Sequence, residues 1–190
     1  MSASFRLWCA AAAAVAIAGA ATSAQQQSPA AQKETGPTKA VAEIRGDGIK
    51  GRAELVERTV ATGKVVDVSV TVSGLKPGLR GVHLHAVGKC DPDFTAAGGH
   101  FDPGPHGHTD PDANHPFHMG DIPNLTVGND GVGTLKTVTT RITVSPGPLS
   151  IFDEDGTAII VHGNEDQGIT GPPKSGVSGG PRVACGVFTK

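Results

Sequence analysis

The chain has little aromatic and little helical character. It contains no tyrosine, one tryptophan and six phenylalanines among 190 residues, whereas glycine occurs 27 times and proline 14 times. No long segment repeats its apolar residues with the 3.6-residue period of an amphipathic helix, so a helical bundle is not expected. Basic residues are not in excess, since 16 Lys and Arg stand against 18 Asp and Glu. This charge balance predicts no nucleic-acid partner.

The chain also lacks an apolar run long enough for a typical membrane span. Arg6 precedes an Ala-rich run from Leu7 to Ala21, and Thr22-Ser23-Ala24 follows it. A basic flank, a short apolar core and a small-residue site are typical of a secretory signal peptide, here residues 1–24. The run is shorter than the roughly 20 residues of a membrane-spanning helix, although a retained membrane anchor is the alternative. We therefore predict a secreted protein, periplasmic or extracellular, with no membrane span in the mature chain.

Cysteine is scarce, with three residues in the whole chain. Cys9 would leave with the signal peptide, so the mature chain keeps Cys90 and Cys185. A single cysteine pair in an exported chain predicts a disulfide bond. Closing a loop of about 100 residues is worth about 4–5 kcal/mol in the chain-entropy model. The predicted mature chain carries 15 basic and 18 acidic residues, a formal charge of −3.

Short strands with regular turns dominate the rest of the chain. Residues 25–38 are polar without apolar periodicity and predict a flexible tether, and residues 39–190 suit one domain with one core. Lys64–Val72 alternates valine with smaller or polar residues, as a half-buried strand does. Together the patterns predict an all-β antiparallel sandwich or barrel. The predicted strands are Ala40–Arg45, Arg52–Arg58, Lys64–Val72, Gly81–Val87, Gly133–Ile142, Ala158–His162 and Arg182–Phe188.

Two segments are too long for hairpin turns. Gly88–Asn124 is rich in His, Asp, Pro and Gly, and Gly163–Pro181 is rich in Gly. Long loops without secondary structure of their own are uncommon in compact domains and are often functional.

The eight histidines are concentrated between positions 83 and 162. His83-Leu84-His85 lies in a predicted strand, and alternate residues of a strand share a face. Two imidazoles on one face provide half of a copper or zinc site. The histidine distribution therefore predicts a metal centre.

Five motifs in order resemble the copper,zinc superoxide dismutase family over about Ala40 to Lys190. They are Gly81-Val82-His83-Leu84-His85, Ala97-Gly98-Gly99-His100-Phe101-Asp102-Pro103, His118-Met119-Gly120-Asp121, Val161-His162 and Arg182-Val183-Ala184-Cys185-Gly186. The resemblance implies an eight-stranded antiparallel Greek-key β-barrel or sandwich with two long active-site loops. It implies an antioxidant oxidoreductase that converts superoxide, its small-molecule substrate, to dioxygen and hydrogen peroxide at a redox copper supported by zinc. Family members are monomers or homodimers.

The resemblance also implies a set of metal ligands. Copper would be held by His83, His85, His100 and His162, and His100 would bridge to zinc and carry a proton in the reduced state. Zinc would be held by His100, His118, Asp121 and one more histidine. His108 follows the bridging residue by eight positions, a common family spacing, and is favoured over His106 as that ligand. We expect His115 to be a surface residue or an outer ligand.

Three further residues take expected roles from the same resemblance. Asp166 would join a copper-ligand and a zinc-ligand histidine through their free ring N–H groups. Arg182 would attract and orient the superoxide anion beside copper. Lys174 is a weaker candidate for steering the same anion.

Other interpretations fit the same sequence pattern. The main alternative is a non-catalytic secreted copper/zinc-binding domain on the same fold, acting as a buffer or a chaperone-like module. A structural or adhesion β-sandwich with an incidental histidine cluster is a second alternative, and a copper-only enzyme is a third. Asn124-Leu125-Thr126 is an N-glycosylation sequon, a triplet that often occurs by chance.

Overall fold

The computed structural model describes residues 38–103, 110–113 and 115–190. The predicted signal peptide and residues 25–37 of the predicted tether lie outside the described residues. Thr38, the last residue of the predicted tether, begins the first strand. Within the described part of the chain, no helix is both long enough and apolar enough to cross a membrane.

The described residues form an all-β domain with nine strands and one short 3₁₀ helix. The 3₁₀ helix covers Phe94–Ala97. Every pairing between these strands is antiparallel. The strands are β1 (Thr38–Gly46), β2 (Lys50–Val60), β3 (Gly63–Ser73), β4 (Gly78–Arg80), β5 (Val82–His85), β6 (Leu125–Val127), β7 (Val132–Thr139), β8 (Ala158–His162) and β9 (Arg182–Val187).

One extended segment forms both ends of the sheet and brings them together. The strand order is β4-β6-β7-β3-β2-β1-β9-β8-β5, so β4 and β5 lie at opposite ends of that order. Only Gly81 separates β4 from β5 along the chain. The sheet is therefore nearly closed, as a barrel is, which avoids exposed edges. Counted as one interrupted strand, β4 and β5 reduce the nine strands to the predicted eight, and the predicted fold class is confirmed.

The interior of the barrel is filled by the alternating residues of its strands. In β3, Val66, Val68, Val70 and Val72 are buried, whereas the intervening Ser69 and Thr71 are exposed. This is the pattern that the sequence of Lys64–Val72 predicts. Full burial of a valine side chain contributes about 1.5–3 kcal/mol. The strand sequences thus account for the apolar core.

The structure differs from the predicted strands chiefly in two places, and other strand ends shift by one or two residues, as in β5, which ends at His85 and not at Val87. Leu125–Val127 forms β6, which pairs with β4, and neither strand was predicted because three residues carry no readable alternation. The strand predicted to reach Ile142 ends at Thr139. A third long loop, residues 140–157, follows it, and the buried carboxylate of Glu57 accepts hydrogen bonds from the Val144 and Ser145 amides there.

The two predicted long loops are present, and a disulfide ties one of them to the barrel. They run between β5 and β6 and between β8 and β9. Cys90, in the first of these loops, is bonded to Cys185 on β9 with 5.8 Å between the Cα atoms. The predicted Cys90–Cys185 disulfide is confirmed. It holds the loop beside the strand that begins with Arg182.

Candidate metal centre

Strand β5 carries two histidines on one face. His83 and His85 alternate with Val82 and Leu84, which belong to the apolar core, and all four side chains are buried. On the neighbouring strand, Val82 pairs with Val161, and the His162 amide donates to the Gly81 carbonyl at 2.8 Å. His162 therefore joins the pair from β8.

Two pieces of the first long loop run beside β5. The Phe101 amide donates to the Leu84 carbonyl at 2.8 Å, and the Leu84 amide donates to the Gly120 carbonyl at 3.0 Å. A Cβ atom at Gly120 would lie 2.4 Å from the Leu84 oxygen, so only glycine permits this approach. The pairing brings His100 and Asp121 next to the β5 histidines.

The first cluster consists of four buried imidazoles. One ring nitrogen from each lies within 4.8 Å of those of the others, and the members are His83, His85, His100 and His162. The second ring nitrogen of His85 donates to the Gly98 carbonyl, and that of His162 to the Gly180 carbonyl. A carbonyl only accepts, so both rings carry the proton on Nδ1 and leave Nε2 with a free lone pair.

The inward nitrogens of this cluster have no hydrogen-bond partner among the described residues. They are His83 Nδ1, His85 Nε2, His100 Nε2 and His162 Nε2. Buried polar atoms are nearly always hydrogen-bonded, so four unpaired nitrogens aimed at one place call for a bound group. An all-imidazole set suits copper, which accepts nitrogen ligands in both oxidation states.

Burial keeps these rings neutral, which a metal ligand requires. Burial, with the neighbouring His100, lowers the pKa of His83 to about 4. Burial also lowers the pKa of His100 to about 4, although the Asp121 carboxylate acts in the opposite direction. Burial lowers the pKa of His162 to about 3, with a further contribution from the charge of His83. The lone pairs of these rings are therefore available at neutral pH.

The second cluster contains three imidazoles and one carboxylate. His100, His115, His118 and Asp121 bring one ligand atom each within 4.8 Å of the others. The Asp121 carboxylate lies 2.6 Å from His100 Nδ1, 3.1 Å from His118 Nδ1 and 3.2 Å from His115 Nδ1. Three nitrogens and one oxygen form a donor set that suits zinc. His100 belongs to both clusters, because its Nε2 faces the first cluster and its Nδ1 faces the second.

The charges of the second cluster are strongly coupled. Burial alone would raise the pKa of Asp121, but hydrogen bonds with His100, His115 and His118 hold it well below its usual range. Burial lowers the pKa of His115, yet hydrogen bonds with Asp121 and Asp166 outweigh it and raise that pKa to about 9. The pair of carboxylates therefore attracts positive charge to this side of the site.

Asp166 lies between the two clusters. Its Oδ2 is 2.8 Å from His83 Nε2, and its Oδ1 is 2.7 Å from His115 Nε2. Asn124 fixes the backbone of Asp166, because its amide nitrogen donates to the Asp166 carbonyl and its oxygen accepts the Asp166 amide. The sequence marked Asn124 only as part of a glycosylation sequon, and its contacts with Asp166 come from the tertiary structure.

The structure revises the expectations for the loop histidines. His115 is fully buried among the ligands of the second cluster, so the first of its two expected roles, a surface residue, is wrong, whereas the second, an outer ligand, stays a prediction. Its ring is held by Asp121 and Asp166, both remote in sequence, and no spacing rule predicts that. His108 and the alternative His106 lie outside the described residues.

Arg182 is held rigidly at the start of β9. Its guanidinium donates to the Phe94 carbonyl and to the Gly98 carbonyl, each at 2.6 Å. Burial lowers the pKa of Arg182, and the charge of Asp93 partly offsets this. The side chain lines a surface cavity of about 420 Å³ together with Phe94 and Pro181. Lys174 lies in the second long loop with a φ of 61°, in the left-handed region that lysine rarely adopts.

A nearly closed antiparallel barrel with two adjoining buried ligand sets that share one histidine defines a binuclear metalloprotein. The sequence profile described as "Copper/zinc superoxide dismutase (SODC)" matches residues 49–188. The chain therefore belongs to the copper/zinc superoxide dismutase family. Membership confirms the predicted family and what it implies, namely superoxide dismutation with copper and zinc as cofactors.

Individual relatives agree with this assignment. A "Superoxide dismutase [Cu-Zn]" of Deinococcus radiodurans is 44% identical over 132 residues, 64% of this chain and 69% of the relative. "Superoxide dismutase [Cu-Zn] 2" of Brassica juncea is 40% identical over 75% of this chain and 90% of its own length. The crystal structure of the clock protein EA4 superposes with a TM-score of 0.66 at 26% identity, covering 83% of this chain and 97% of that one.

Proposed function

We propose that the imidazoles of His83, His85, His100 and His162 hold the copper at which this chain dismutes superoxide. The observation that carries this assignment is the set of four buried ring nitrogens without a hydrogen-bond partner among the described residues. Copper bound there supplies the one-electron oxidation and reduction that dismutation requires. The chain keeps these rings neutral and fixes three of them through their second nitrogens.

Zinc is held by His100, His118, Asp121 and His115 in this proposal. His115 replaces His108 as the third histidine because its Nδ1 lies 3.2 Å from the Asp121 carboxylate, beside the corresponding atoms of the other two rings. The contact of His115 Nε2 with Asp166 supports the assignment, since the family's aspartate joins a copper-ligand histidine to a zinc-ligand histidine. A complete donor set disfavours the copper-only alternative.

His100 serves both metals and is also the proton carrier. Its Nδ1 faces Asp121 at 2.6 Å, and its Nε2 faces the three other histidines of the first cluster. When Nε2 is not a ligand, its lone pair can take a proton. Product formation consumes protons, so a proton held at this atom lies where the reaction needs it.

Arg182 attracts and orients superoxide. The predicted mature charge of −3 does not favour an anion, so attraction must come from local positive charge. Two backbone carbonyls fix two of the guanidinium nitrogens, which leaves the remaining N–H groups for an anion in the adjoining cavity.

Export of the chain is the last part of the proposal. The N-terminal pattern of Arg6, an Ala-rich run and Thr22-Ser23-Ala24 supports cleavage after Ala24. The Cys90–Cys185 disulfide supports an oxidising compartment, because cytosolic thiols are kept reduced. N-terminal sequencing of protein recovered from the periplasm or medium tests this, and an intact Met1 would contradict it.

The direct test of catalysis is the superoxide consumption rate of residues 25–190 loaded with copper and zinc. We expect a rate near the diffusional ceiling known for this enzyme class, about 10⁸–10⁹ M⁻¹s⁻¹, and its loss in His83→Ala. Glu57→Gln is the matched control, because the Glu57 side chain is also buried but belongs to neither histidine cluster. It contacts the 140–157 loop instead. A wild-type rate no better than free copper would reject the proposal and favour a non-catalytic metal-binding domain.

A further inference from the structure

We propose that Asp112 is a positioning residue that holds the ring of His162 in place through the segment 176–180. This inference rests on the copper site proposed above. Asp112 precedes His115 by three positions in the first long loop, whereas the segment 176–180 belongs to the second. No motif or spacing in the sequence indicates a role for Asp112.

The Asp112 side chain is buried, and both of its carboxylate oxygens accept hydrogen bonds from the second long loop. Its Oδ2 accepts the Gly176 amide at 2.7 Å. Its Oδ1 accepts both the Ser178 amide at 3.0 Å and the Ser178 hydroxyl at 2.7 Å. Its backbone carbonyl accepts the Gly171 amide at 3.0 Å. One residue of the first loop therefore fixes the conformation of the second loop at three positions.

The segment that Asp112 holds lies directly against His162. The Gly180 carbonyl accepts the proton of His162 Nδ1 at 3.1 Å. A Cβ atom at Gly179, where φ is +112°, would lie 2.7 Å from His162 Cβ, so the backbone itself packs on this ring. Displacement of residues 176–178 would move this carbonyl, and with it the direction of the His162 Nε2 lone pair.

The same segment also supports Asp166. Ser178 and Asp166 form an isolated antiparallel β-bridge through their backbones, and the Gln167 amide donates to the Val177 carbonyl at 2.8 Å. Asp166 in turn contacts His115, which lies three residues after Asp112. The contacts form a closed ring through both loops, so that Asp112 couples the zinc-side loop to a copper ligand.

A carboxylate is needed because three donors converge on it. Asparagine has the same shape but only one acceptor oxygen, so in Asp112→Asn an NH₂ group would face either the Gly176 amide or the two donors of Ser178. Two donors facing each other in a buried place cannot both be satisfied. The substitution should therefore loosen the segment 176–180 without opening a cavity.

The matched control is Glu57→Gln. Glu57 is also a buried carboxylate, and it accepts two backbone amides and one serine hydroxyl, from Val144 and Ser145. None of these partners belongs to either histidine cluster. Both variants should lower the thermal unfolding midpoint, so a loss of stability alone does not distinguish them.

The experiment compares wild type, Asp112→Asn and Glu57→Gln as copper- and zinc-loaded full-length mature protein. The readouts are the Cu(II) electron paramagnetic resonance spectrum and the copper affinity by chelator competition. We expect Asp112→Asn to change the spectrum and to weaken copper binding about tenfold, within the range for residues that orient ligands. Glu57→Gln should leave both unchanged.

The outcomes separate this inference from the proposed copper site. An unchanged spectrum and affinity in Asp112→Asn, or an equal change in Glu57→Gln, would overturn the role of Asp112 while leaving the site intact. A wild-type spectrum that does not depend on His83, tested with His83→Ala, would overturn the site and this inference together.

Discussion

Replacing His115 by alanine should remove zinc from the protein and leave copper bound. The His115 side chain is fully buried, with Nδ1 3.2 Å from the Asp121 carboxylate and Nε2 2.7 Å from that of Asp166. Loss of a residue that merely orients a ligand costs about 10–100-fold in metal affinity. Loss of a ligand should therefore weaken zinc binding by at least about 100-fold, or about 2.7 kcal/mol.

The same substitution should destabilise the metal-free protein. His115 has a pKa raised to about 9, so at neutral pH it is a cation held between two carboxylates. Removing one partner from a buried charge pair costs about 3–5 kcal/mol. We expect the lower end of this range, because Asp121 keeps contacts with His100 and His118 and Asp166 keeps its contact with His83.

The assay is zinc competition against a chromogenic chelator, followed by copper competition on the same preparations. His108→Ala and His106→Ala are the controls, because both are histidines of the same loop and His108 has the common family spacing. Both should keep wild-type zinc affinity. Retention of zinc by His115→Ala together with its loss in His108→Ala would refute the reasoning and restore His108 as the ligand.

Three further predictions concern the loops and the barrel. Arg182→Lys should lower the superoxide rate about tenfold, since lysine cannot keep both carbonyl contacts that fix the guanidinium. Because lysine keeps the positive charge, stopped-flow rates across a salt series should show the salt dependence of wild type, and an unchanged rate would contradict the orienting role of Arg182. Cys185→Ser should lower the free energy of unfolding by about 4 kcal/mol, because the bond closes a long loop; equal denaturation midpoints with and without reductant would contradict this. Hydrogen bonds with Ser145, Lys64 and Val144 outweigh burial and lower the pKa of Glu57, so its stabilisation is complete above about pH 4.5 and is lost as the pH falls through the folded-state value. In urea denaturation of the metal-free protein, the free energy of unfolding should therefore fall less steeply with decreasing pH in Glu57→Gln than in wild type. Equal slopes for the two proteins would count against this origin.

Local patterns were enough to predict most of the barrel and one face of the site. The alternating valines of β3 predict a half-buried strand because side-chain direction follows the strand period, whatever the strand packs against. His83 and His85 share a face for the same reason. The Cys90–Cys185 bond was predicted because the predicted mature chain contains only these two cysteines, not from any geometry in the sequence.

The residues that local patterns missed or misread depend on contacts between distant parts of the chain. His115 became a candidate zinc ligand because its ring contacts Asp166, 51 positions away, and the Asp112 carboxylate meets Ser178, 66 positions away. The three-residue strands β4 and β6 exist because they pair with each other, not because of their own composition. Sequence spacing determines which side chains share a strand face, since that geometry is local. Only the tertiary structure decides where two long loops return and which of their side chains meet, because many loop paths satisfy the same local preferences.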